Sequence, residues 1–89
     1  MFSVTVVWDP KSQDAKRIRE ILKECRVTIA KEIIAGSSED RALRRKGQIE
    51  YDDRMGNWPP PLVITMRGGK IVRCDPNPTD EDLYDFFNR

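Results

Sequence analysis

Trp58-Pro59-Pro60-Pro61-Leu62-Val63-Ile64-Thr65 decides the reading of this chain, because three prolines run directly into a short apolar strand. Proline fixes φ and offers no backbone N–H, so it is excluded from the middle of a central strand. X–Pro bonds are also the ones for which the cis isomer is inexpensive, at roughly 0.5–1 kcal/mol. A proline immediately before a buried strand therefore implies a sharply shaped loop that presents backbone at the edge of a site.

The elements around this junction follow from pattern. Phe2 to Trp8 is rich in β-branched and aromatic residues and reads as a largely buried strand. Asp9-Pro10-Lys11-Ser12 breaks it, with Ser12 as an N-cap. The helix that follows carries Ala15, Ile18, Leu22 and Cys25 on one face. A second strand lies within Val27 to Ala35, centred on Glu32-Ile33-Ile34. Ser37-Ser38-Glu39-Asp40 has the Ser-x-x-acid layout of a helix start. That predicts a second helix from Ser38 to about Lys46, with a thin apolar face of Ala42, Leu43 and Ile49. Gln48 to Trp58 reads as an irregular connection.

Leu62 to Met66 and Lys70 to Cys74 read as strands joined by Gly68-Gly69, a pair suited to the positive φ of a two-residue hairpin turn. Thr79 caps a last helix whose first turn, Asp80-Glu81-Asp82, complements the helix dipole and whose core stripe is Leu83, Phe86 and Phe87. The order is β-α-β-α-β-β-α, an α/β domain with a four-stranded mixed sheet.

Composition bounds the function. The chain has 89 residues, 38% apolar and 35% charged, enough for one folded domain. A net charge of +1 gives no global reason to expect nucleic acid or membrane binding. No apolar run approaches the roughly 20 residues of a membrane span, and the start lacks a signal-peptide layout, so the expected location is cytoplasmic. Histidine is absent, which disfavours zinc sites and Ser-His or Cys-His catalysis. Cys25 reads as a small core residue. Cys74, at a strand end, reads as structural, with single-thiol chemistry or dimer cross-linking as the alternatives.

The order of elements and the proline-to-strand junction resemble the thioredoxin fold in its short glutaredoxin form, over essentially the whole chain. The residues that carry the likeness are Asp9-Pro10-Lys11-Ser12 at a helix start, Pro61 before Leu62-Val63-Ile64, the Arg67-Gly68-Gly69-Lys70 hairpin, and Cys74-Asp75 before the last helix. The resemblance implies a cis Pro61 and a Cys-x-x-Cys motif at the first helix start, where the dipole lowers a thiolate pKa. Ser12-Gln13-Asp14-Ala15 stands there instead, and neither Ser12 nor Ala15 can exchange a disulfide.

Three further departures concern glutathione, the family's tripeptide ligand. Asp9 stands where many glutaredoxins carry a lysine for a glutathione carboxylate. Pro60 lacks the N–H that would pair with bound peptide, and Val72-Arg73 replaces two glycines. Glutathione binding is therefore doubtful, and Asp75 with a helix N-terminus is what remains. No cofactor or metal is expected.

The resulting expectation is a redox-inactive glutaredoxin-like domain that binds a protein partner of unknown identity through the former groove. Its surface would comprise Trp8, Asp9, Lys11 and Ser12 on one side, and Trp58, Pro60, Pro61, Arg73 and Asp75 on the other. Similar small chains occur in bacteriophage genomes, where a host-directed adaptor would fit. The alternative is a thiol-disulfide oxidoreductase whose cysteines were replaced at Ser12 and Ala15, or one that works through Cys74. Phosphate or nucleic-acid binding by Arg41, Arg44, Arg45 and Lys46 is a third class, weakened by the acidic residues around that run.

Overall fold

The computed structural model describes residues 2–88. Its elements are β1 (Phe2–Trp8), α1 (Asp14–Glu24), β2 (Ile29–Ile34), α2 (Ser38–Glu50), a 3-10 turn (Asp53–Asn57), β3 (Leu62–Arg67), β4 (Lys70–Pro76) and α3 (Asp80–Phe87). This is the expected α/β order. The sheet runs β2-β1-β3-β4, with β1 and β2 parallel and the other neighbours antiparallel.

Side chains of β1 alternate between the two faces of the sheet, and each face builds its own core. Val4, Val6 and Trp8 pack with Ile18, Ile21 and Leu22 of α1 and Leu83 of α3. Val7, Leu62, Ile64, Ile71 and Cys74 pack on the other face with Met55, against Leu43 of α2. Burying such an aliphatic side chain contributes about 1.5–3 kcal/mol, so these two layers hold the domain together.

The second helix differs from expectation. It runs to Glu50 rather than stopping near Lys46, and a 3-10 turn occupies part of the stretch read as irregular. Gly47 lies inside it because the Met55 thioether crosses at that point; a Cβ on Gly47 would meet Met55 Sδ at 2.1 Å. Ile49, expected on the apolar face, is 87% exposed. The thin face found its partner in the 3-10 turn instead.

Both serine and threonine caps form. Ser37 Oγ accepts from the Asp40 N–H at 3.2 Å, and Thr79 with Asp82 makes a complete capping box. In α1 the cap position falls on Gln13, one residue beyond the expected Ser12. Strand β2 begins at Ile29, because Arg26 adopts a positive φ of 59° after α1 and turns the chain first. No helix is long and apolar enough to cross a membrane among the described residues.

Candidate functional site

Strand direction gathers the predicted site residues at one end of the sheet. The carboxyl ends of β1, β2 and β4 and the amino end of β3 meet there, as the pairs Trp8–Ile34, Val7–Leu62 and Leu62–Pro76 show. All three helices start from this loop end. The opposite, hairpin end carries Gly68-Gly69 and the first residues of β1. At the loop end, the Asn77 N–H donates to the Pro61 carbonyl at 2.7 Å. Arg17 of α1 pairs with Asp80 of α3 and donates to the Pro78 carbonyl at 3.4 Å. The Pro60–Pro61 bond is cis.

The Asp9–Ser12 loop is closed on itself. The Ser12 N–H donates to the Asp9 carbonyl at 3.0 Å, and the Lys11 N–H to Asp9 Oδ1 at 2.9 Å. Ser12 Oγ accepts from the Asp14 N–H at 3.1 Å and donates to Asp14 Oδ2 at 2.8 Å. Its hydroxyl is thus committed to the start of α1. Ala15 packs against the core on the α1 side. Lys11 stands exposed at the rim.

Trp8 does not line the groove. It is 5% exposed, its indole N–H donates to Glu32 Oε1 at 2.6 Å, and the Arg19 guanidinium covers the ring at 4.9 Å. Tryptophan is amphipathic, so one acceptor at its polar edge makes full burial favourable. Pro61 is fully buried as well. The presented surface therefore shrinks to Asp9, Lys11, Pro59, Pro60 and the half-buried Trp58, which meets Tyr51 edge-on at 6.2 Å.

What fixes that loop is Arg44, a member of the basic run considered above for phosphate or nucleic-acid binding. Its guanidinium donates to Asp40 Oδ1 at 2.8 Å, to the Met55 carbonyl at 2.8 Å and to the Trp58 carbonyl at 2.7 Å. Asp40 is 4% exposed and also accepts from the Gly36 N–H at 2.9 Å. A planar fork with several donors suits such a junction. The signal in the sequence was the i,i+4 acid–base spacing of Asp40 and Arg44. Arg41 donates to the Gly36 carbonyl and Lys46 pairs with Glu50, so the basic run is largely spent on its own chain.

Asp75 is not a free carboxylate. Arg73 Nε donates to its two oxygens at 3.1 and 2.9 Å while the guanidinium stacks over Phe86 at 4.0 Å. Cys74 points into the α2-side core at 6% exposure. Burial, aided by the neighbouring Asp75 charge, pushes its thiol up to about 12, so it is protonated at neutral pH. Cys25, half-buried at the end of α1, is also raised, chiefly by desolvation. No group of three or more metal-ligating side chains occurs among the described residues. No family model, curated protein or solved structure matches the chain.

Proposed function

We propose that this chain is a thioredoxin-like domain without thiol chemistry, which works by holding a protein partner against its loop end. The observation that carries the reading is the state of the sulfur and of the helix start. At the beginning of α1 a serine hydroxyl is bound to Asp14, and the buried Cys74 thiol is raised to about 12. The nucleophile in disulfide exchange is the thiolate, and such a thiol supplies almost none of it at neutral pH. The strand order β2-β1-β3-β4 and the proline junction support the thioredoxin-like assignment. The binding reading is supported by the rigid proline loop, anchored through Arg44 and presenting Trp58, Pro59 and Pro60 beside Lys11 and Asp9.

The purified chain, assayed as a reductase and used as bait in extract of its source cell, tests this reading. The expected result is no turnover of glutathione mixed disulfides, and one partner retained by the parent chain. Trp58→Ala and the exposed-site variant Lys11→Glu should each lower that retention about tenfold, the loss of one well-placed contact. Turnover by the parent chain, or a partner indifferent to both substitutions, overturns it.

A further inference from the structure

The hairpin end carries a feature that the loop-end reading does not use. Two clefts, of about 630 and about 620 Å³, lie side by side with Phe2 and Phe86 as shared walls. One extends past Arg67 and Arg73 to Asp75 and Tyr51 at the β4 edge. The other extends past Val4 to Arg26 and Phe87. Together they form a trough across the end of the sheet that α3 leaves uncovered. Its floor is aromatic, and Phe2 is 58% exposed. Tyr51 and Val72, on the β4 side, are 42% and 43% exposed. Grouped exposure of large apolar side chains in a small domain marks a contact surface.

The charge in the trough is one-sided. Arg26, Arg67 and Arg73 line it with a single carboxylate, Asp75, which Arg73 already holds. Lys70 stands opposite Arg67 in strand register, beside the Glu50 carboxylate. The chain as a whole carries only +1, so this is a local concentration of positive charge. Arg67 and Arg73 also lie over the Phe2 and Phe86 rings at 5.8 and 4.0 Å. One guanidinium thus already lies over each ring, which leaves less aromatic surface for stacking nucleic-acid bases than for packing side chains between the rings.

We infer that the trough is a docking groove for an extended acidic segment of a partner protein, with aromatic or aliphatic side chains between its carboxylates. Apolar side chains of the segment settle between Phe2, Phe86 and Phe87. Its carboxylates pair with Arg26 and Arg67, the guanidinium groups not held by Asp75. The inference rests on the reading that the domain works by binding protein, but places the contact on a different face.

Titration of the labelled full chain with the peptide Glu-Asp-Phe-Glu-Asp-Leu-Asp-Glu, followed by amide chemical shifts, tests it. Expected shifts fall on Phe2, Arg26, Val27, Arg67 and Phe86, with none at Asp9, Lys11 or Ser12. Affinity falls with added salt, and the exposed-site variant Arg26→Gln/Arg67→Gln weakens binding at least about tenfold while its spectrum stays folded. Equal binding of a control peptide with lysine at every acidic position overturns it. So does a stronger response to oligothymidine, self-association through the same residues in sedimentation, or no shift at millimolar peptide. Shifts confined to the loop end overturn this inference while leaving the loop-end reading standing; trough shifts without a loop-end partner do the reverse.

Discussion

The two ends of the sheet solve opposite problems. At the loop end nearly every polar group is answered from within. Asp9 and Ser12 close their own turn, Asp40 and Arg44 hold the proline loop, and the Trp8 indole is capped by Glu32. At the hairpin end, Phe2 stays exposed with the Arg67 guanidinium over its ring, and Arg73 lies over the Phe86 ring. The contrast teaches that pre-organisation and availability are separable here: one end is rigid and self-satisfied, the other is accessible and electrostatically unbalanced.

The largest break in that contrast comes from Asp40→Ala. It leaves Arg44 with carbonyl partners and no counter-charge in a site where Arg44 is only 12% exposed, and should cost about 3 kcal/mol in urea unfolding. The Trp58 indole signal should move while the amides of Phe86 and Arg67 do not. Equal disturbance at both ends would show that they are not independent.

An intermediate effect is expected from alkali. Cys74 keeps its proton in the folded chain up to about 12, whereas an unfolded thiol loses it near 8.5. Between those values the unfolded state binds fewer protons, so stability falls as pH rises, by up to about 1.4 kcal/mol per unit. Unfolding curves from pH 8 to 11 should show this slope, and Cys74→Ala should reduce it. Tyr84, raised to about 12 first by its hydrogen bond to Glu24, adds a slope of the same sign that the variant retains.

The smallest effect belongs to the hairpin end. Arg67→Gln removes an exposed cation lying 5.8 Å from the Phe2 ring and should change stability by no more than about 0.5 kcal/mol. A larger loss in thermal unfolding would mean that the trough is a structural element and not a free surface.

Much of the fold was legible in local chemistry. The β-branched run of β1, the glycine pair of the hairpin and the threonine cap of α3 each specify their element through neighbours in sequence, and each formed. What stayed hidden depended on distant partners. The second helix reads as ending near Lys46 until Met55 is brought across Gly47. Trp8 reads as a rim residue until Glu32, 24 positions away, accepts its N–H. Arg44 reads as one cation of a basic run until the carbonyls of Met55 and Trp58 are brought to it. The lack of a thiol at Ser12 and Ala15 was legible in the sequence, but the stacking of Arg73 on Phe86 beside Asp75 was not. The i,i+2 spacing places Arg73 and Asp75 on one face of β4, but the ring of Phe86 that orients the guanidinium comes from α3.

Strand β4 is an outer strand, and outer strands are templates on which like chains can stack into fibres. Here the amide of Ile71 is met by Glu50 Oε2 at 3.3 Å, a side chain reaching over from the end of α2. Lys46, hydrogen-bonded to the same carboxylate, holds it below its usual titration range. The stopper therefore holds its charge to lower pH than a glutamate without that partner. A single glutamate thus occupies one of the amides that a like chain would need along β4, beside the apolar rings the molecule keeps in water.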